Sequence, residues 1–150
     1  SRFALDKSVS NYLKSEKNSS YLSLKGIDKF YQSAKKTRTN LNKLLTNLKN
    51  NNKVVVGYGA SAKATFLLNF SKIEENKLSF IFDNSIFKIN RFLPGTKIKI
   101  LEPKEFKKIE FDYVLVLAWN HFREIYDNNK KYRKNNRVKW IIPMPEIKII

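Results

Sequence analysis

The chain has 150 residues, 42% of them hydrophobic, with no cysteine and one histidine. That length suits one domain with a real core. The cysteine and histidine counts exclude a disulfide framework, a thiolate zinc site and a Ser-His-Asp arrangement built within the chain. The formal net charge is +17, but lysine is spread along the whole chain among 17 asparagines and many Ile, Phe and Tyr residues. An AT-rich genome imposes that mixture on any protein, so no specific nucleic-acid partner is predicted. The charge does give weak attraction to phosphorylated small molecules. No apolar run approaches the roughly 20 residues of a membrane span, and the first residues lack a signal peptide's apolar core. A cytoplasmic protein with no membrane partner is expected.

Ser1–Asp6 (SRFALD) alternates like the tail of a strand and has no obvious partner, which suggests a cut through a larger protein. Ser8–Lys17 reads as a short helix with Val9, Tyr12 and Leu13 on one face. Ile27, Phe30, Tyr31, Ala34, Leu41, Leu44, Leu45 and Leu48 recur at helical spacing, which predicts a long amphipathic helix over Asp28–Asn50. From Lys53 the chain alternates. Strands are predicted at Lys53–Val56, Leu78–Phe82, Ile98–Leu101, Tyr113–Ala118 and Val138–Ile142. Helices are predicted at Ala60–Phe70 and Phe122–Lys134, with a helical turn at Pro103–Lys108. The basic stretch Lys130–Lys139 reads as a solvated helix end and loop. Such alternation predicts an α/β, Rossmann-like three-layer domain with a mostly parallel sheet of about five strands.

The junction VVVGYGASAK (Val54–Lys63) is the most informative stretch. Three β-branched residues suit a parallel strand covered on both faces. Gly57 and Gly59 let the backbone turn tightly and approach a ligand without Cβ atoms in the way. The helix that follows turns its unpaired N–H groups toward whatever sits over Gly59, a ready anion site. Ala62 in the third small position completes a formal GxGxxA match, and Asp83 ends the next apolar run about twenty residues on, as in the dinucleotide fingerprint. The other reading is a tight turn that binds nothing.

In a doubly wound sheet the ligand lies beyond the carboxyl ends of the strands, where strand order reverses. The loop Gly57-Tyr58-Gly59-Ala60-Ser61, with Lys63, would offer amides and a charge to phosphate. Asp83 would accept from a sugar hydroxyl, the Trp119 ring would stack on a base or hexose, and the Asn120 amide would read a polar edge. The plainer readings make Trp119 a lid on the core and Asp83 a cap on the connection that follows it. His121, with no acidic partner in sight, and Glu124 read as surface residues.

Four blocks in order, GYGASAK, DNSIFKINRFLPGTKI, DYVLVLAWNHFREI and IIPMPEIKII, resemble the C-terminal domain of sugar C-methyltransferases, over about Ile27–Ile150. Gly57, Tyr58, Gly59, Ala60, Ala62 and Lys63 match the first block; Asp83, Lys88, Pro94, Gly95 and Thr96 match the second. Asp112, Tyr113, Trp119, Asn120, Glu124 and Ile125 match the third, and Pro143, Pro145 and Glu146 the last. Ser61 stands for the usual Pro, Ala64 for a Gly, and Asn90 for a Gly. The resemblance implies that residues 1–26 link to a preceding methyltransferase domain and that residues 27–150 form the Rossmann-like C-terminal domain. It implies further that S-adenosylmethionine belongs to that preceding domain, and that this one carries no cofactor and no catalytic residue. Its ligand would be a nucleotide diphosphate sugar held by the loop, Asp83, Lys88, Trp119 and Asn120. An independent NAD(P)-binding domain and a structural domain with no ligand are the rival readings.

Overall fold

The computed structural model describes residues 6–19, 21, 23–129 and 138–150. The chain divides into two compact units, Ser1–Lys36 and Thr37–Ile150. In the first, helix α1 (Lys7–Asn18) is capped by Asp6, whose Oδ1 accepts the Ser8 N–H at 3.1 Å, and none of its residues is buried. Helix α2 (Leu24–Asn50) also begins there, one turn earlier than its apolar spacing predicts. The reason is Ser23, whose hydroxyl accepts the Gly26 N–H at 3.1 Å and caps the helix upstream of Asp28. The predicted strand tail over residues 1–5 lies outside the described residues.

The second unit is built around one sheet of six strands: β1 (Val55–Tyr58), β2 (Phe80–Phe82), β3 (Lys99–Leu101), β4 (Tyr113–Val116), β5 (Lys139–Ile142) and β6 (Lys148–Ile149). Their order is β3-β2-β1-β4-β5-β6. The first five run parallel, and β6 returns antiparallel beside β5, with Ile149 opposite Ile141. All five predicted strands are present; β6 was not foreseen. Helices α3 (Ala62–Ser71) and α4 (Phe122–Asn128) and a 3-10 turn at Pro103–Lys107 make the crossovers. Several predicted boundaries move: β2 starts at Phe80 and β4 ends at Val116. β1 continues through Gly57 and Tyr58, and α3 starts at Ala62 rather than Ala60 because Ser61 caps it. The last residues predicted for α4, 130–134, and most of the basic stretch lie outside the described residues.

Alternation along the strands separates two cores. Val55, Ile81, Leu115, Leu117 and Ile141 face the side covered by Leu41, Leu45 and Leu48 of α2 and by Ala64, Leu67 and Leu68 of α3. Val56, Tyr58, Phe82, Val114, Val116 and Trp140 face the other side, where Phe106 is buried and Phe122 and Tyr126 of α4 pack against them. Leu41 and Leu45 are fully buried. Each buried leucine contributes about 1.5–3 kcal/mol, more than the helix propensity of any ordinary residue supplies. The leucine stripe therefore seats the C-terminal part of α2.

One sheet edge is closed by the chain itself. Asn90 N–H donates to Ile100 O at 2.9 Å, Ile100 N–H to Arg91 O at 2.8 Å, and Leu93 N–H to Ile98 O at 2.9 Å. The segment before β3 thereby pairs with it. Asn90 adopts φ 64°, a left-handed conformation open to Gly and tolerated by Asn.

At the amino end of the sheet, Asp112 joins the starts of three strands. Its carboxylate accepts from Lys53 Nζ and from the Val54 N–H, each at 2.9 Å. Its own N–H donates to Val54 O at 2.9 Å, and its carbonyl accepts the Lys139 N–H at 3.0 Å. Partial burial pushes the Asp112 carboxyl up, but the Lys53 and Val54 hydrogen bonds with the Lys53 charge outweigh it and hold the group below its usual value. A depressed carboxyl stabilises the fold fully above its ordinary value and loses that effect as pH falls through the depressed one. Asp112→Asn should therefore lower stability near neutral pH by about 1 kcal/mol, after allowance for the partly exposed ion pair. Denaturant titrations at several pH values should show the gap from wild type narrowing in acid; a gap constant with pH would remove Asp112 from this role.

Candidate functional site

Strand order reverses between β1 and β4, so the carboxyl ends of these two strands frame the place where a doubly wound sheet takes its ligand. Three elements converge there: the loop from β1 to α3, the end of β2 at Asp83, and the 3-10 turn Trp119–His121 after β4. The two turns are in close contact. Gly59 has φ +93°, and a Cβ added to it would lie 2.8 Å from Ala118 Cβ.

Gly57 and Gly59 owe their lack of a side chain to neighbouring protein. A Cβ on Gly57 would meet Ile81 Cγ1 at 2.8 Å and Leu117 Cδ1 at 2.9 Å. Packing within the protein is thus a reason for glycine at both positions, beside the ligand approach expected of them. The third small position changes. Ala62 is exposed, and Ala60 and Ala64, 5% and 0% exposed, allow the close packing at the start of α3. Tyr58 is buried on the opposite face of the sheet, with its ring centroid 6.1 Å from that of Phe106. It is a core residue.

The loop amides are largely engaged within the protein. Gly59 N–H donates to Phe82 O at 2.8 Å and Ser61 N–H to Gly59 O at 2.9 Å. Ala60 N–H donates to Asp83 Oδ2 at 2.7 Å. Ser61 stands at the N-cap, where the resembling family carries Pro, and its hydroxyl accepts the Ala64 N–H at 3.2 Å. Among the described residues, the Ala62 and Lys63 N–H groups are the two in this stretch left without an acceptor. Asp83 is similarly occupied. Its Oδ1 accepts the Ser85 N–H at 2.8 Å, and Lys88 Nζ lies 3.4 Å from Oδ2. Lys88 thus sets a positive charge beside Asp83, with its own side chain 43% exposed.

Lys63 and Trp119 are brought together. Lys63 Nζ lies 5.6 Å from the Trp119 ring centroid, within cation–π range. Lys63 is exposed, Trp119 is half-buried against the α2/α3 core, and Asn120 beside it is exposed. A cation, an aromatic face and a free amide therefore share one locus at the switch point. Two residues read separately from sequence prove to be neighbours: His121 Nδ1 lies 3.8 Å from Glu124 Oε2, both on the surface. The i, i+3 spacing held that signal, and it corrects the reading of His121 as lacking an acidic partner. Ala118, the residue against which Gly59 closes, carried no recognisable signal.

Elsewhere, an open groove of about 380 Å³ is lined by Glu74, Glu75, Gly95, Thr96 and Lys97 and contains none of the predicted site residues. Among the described residues no group of three or more His, Cys, Asp or Glu side chains could hold a metal ion. No helix among them is long and apolar enough to cross a membrane.

Residues 2–145 match the sequence profile of the C-methyltransferase C-terminal domain. The chain is also similar to the C-methyltransferase NovU of Streptomyces niveus, with 33% identity over 115 residues. That match covers 77% of this chain and 27% of the relative.

The crowding at Gly59 gives a direct test of its packing role. Gly59→Ala must hold a side chain at positive φ against Ala118, a strain of about 1–3 kcal/mol. The unfolding midpoint in urea should drop accordingly. An unchanged midpoint combined with lost ligand binding would leave Gly59 the role of clearing a ligand path.

Proposed function

The chain belongs to the family of C-methyltransferase C-terminal domains, and on that premise we propose that it holds the nucleotide-linked sugar while another part of the enzyme methylates it. The observation that carries this reading is the Lys63–Trp119–Asn120 locus at the switch point. A ring face can stack on a base or hexose, a contact worth about 1–3 kcal/mol for a base. The Lys63 ammonium and the two amides without acceptors at the start of α3 suit a phosphate oxygen. The Asn120 amide can both donate and accept, as a sugar hydroxyl or base edge requires.

The division of labour follows from what this chain offers. The glycine loop keeps the Ala62 and Lys63 N–H groups for a phosphate oxygen, and this reading gives that place to the nucleotide sugar in preference to S-adenosylmethionine. The methyl donor is assigned to a preceding domain of the same protein, as the notable excess of the relative's length over this chain allows. The setting of such an enzyme is deoxysugar biosynthesis in the cytoplasm. Residues 1–26 are assigned to the link with the donor domain and 27–150 to the sugar-binding domain.

Incubated with S-adenosylmethionine and a nucleotide keto-sugar, this chain should transfer no methyl group. Turnover proportional to its concentration would refute the division of labour. Calorimetric titration with a deoxythymidine diphosphate sugar, the corresponding GDP sugar and NAD should give weak heats for a sugar nucleotide and none for NAD. Trp119→Leu should reduce affinity by roughly the stacking contribution, ten- to a hundredfold, and Lys63→Ala by less, because the amides remain. Preference for NAD would establish the rival dinucleotide reading, and no heat from any ligand the structural one.

A further inference from the structure

Asp83 stands where a dinucleotide-binding domain keeps the acid that receives the ribose hydroxyls, at the end of the strand beside the glycine loop. In that role the carboxylate must turn its lone pairs to the ligand, and the loop amides must face its phosphates. Here both oxygens point into the protein. Oδ2 takes the Ala60 N–H at 2.7 Å and faces Lys88 Nζ at 3.4 Å, Oδ1 takes the Ser85 N–H at 2.8 Å, and the side chain is 12% exposed. One carboxylate thus fastens the loop before α3 to the turn after β2, where Lys88 N–H donates back to Ser85 O at 2.9 Å. The loop's remaining amides follow suit, Gly59 to Phe82 O and Ser61 to Gly59 O.

We infer that Asp83 is a positioning residue: it fixes the loop from which α3 starts, and through α3 the placement of Lys63 against Trp119, and it receives no ribose. The domain therefore takes no dinucleotide in the Rossmann manner, although its sequence carries the GxGxxA pattern. The inference rests on reading Lys63, Trp119 and Asn120 as the substrate-binding locus, and it deepens that reading. Asp83→Asn has nearly the same shape, yet it replaces one acceptor oxygen with a donor. Either the Ala60 or the Ser85 N–H then loses its partner, and the attraction to Lys88 is gone.

Amide hydrogen exchange followed by NMR tests the latch in the wild-type chain without any variant. The Ala60 and Ser85 amides should exchange at least tenfold more slowly than those of Ala62 and Lys63, which lack acceptors. In Asp83→Asn one or both should lose that protection while Val56 in β1 keeps its own, which reports an intact fold. The same variant should bind a deoxythymidine diphosphate sugar several-fold more weakly at a temperature where it is fully folded, a loss that a merely structural role would not produce. Fast exchange at Ala60 and Ser85 in the wild type overturns the inference. So does unaltered exchange in the folded variant, unaltered affinity, or saturable displacement of these two resonances by NAD. If the exchange pattern holds but the wild type binds no sugar nucleotide, the latch stands as a feature of the loop. The substrate reading, and with it the positioning role, then fails.

Discussion

The backbone of β1 is committed on both edges and at both ends, and the candidate site depends on that strand's being held in place. β2 and β4 pair with it on either side. At its start, Asp112 takes the Val54 N–H and returns its own N–H to Val54 O. Just past its end, Asp83 takes the Ala60 N–H. Two carboxylates, one at each end of β1, thus hold the strand's start and the direction in which the chain leaves it. Charge-assisted bonds to backbone N–H groups are stronger than neutral ones. They suit the ends of a short strand, where the regular ladder stops.

Much of the fold was legible because it rests on periodicity. The Leu41/Leu45/Leu48 stripe announced a helix with one buried face, and the runs around Val55, Ile81, Val114 and Ile141 announced strands covered on both sides. Strand β6 was not legible. It is two residues long, and its pairing with β5 is a tertiary event with no local pattern. The site was legible in part. Lys63, Trp119 and Asn120 were named from sequence and lie together at the carboxyl edge. Tyr58, Ser61 and Asp83 were also named, yet their polar or aromatic groups face inward. A motif fixes which residue types occur at a turn. It does not specify whether the turn's hydrogen bonds close on the protein or open to a ligand.

The blocks that mark the family sort accordingly. The Pro94-Gly95-Thr96 block is a turn seated on α3: Asn69 Nδ2 donates to Pro94 O at 2.9 Å, and the Asn69 side chain fills the space a Gly95 Cβ would need. Thr96 Oγ1 donates to Leu93 O at 2.9 Å and closes the turn. The departures from the family pattern have physical accounts as well. Asn90 can hold the positive φ of the Gly it replaces, and Ser61 caps the helix by its hydroxyl. The Trp119-Asn120 pair and Lys63 present side chains outward at the switch point.

The self-closed edge at β3 bears on association. An uncovered edge strand is a template for further strands from other chains, and residues 90–93 occupy that template on one side of the sheet. At the other end of the sheet the outermost strand is β6. That strand offers two residues, Lys148 among them, and a short edge carrying a charge is a poor seed for cross-β stacking. A lysine- and asparagine-rich domain with short apolar strands thus carries part of its protection against aggregation in the path of one connection.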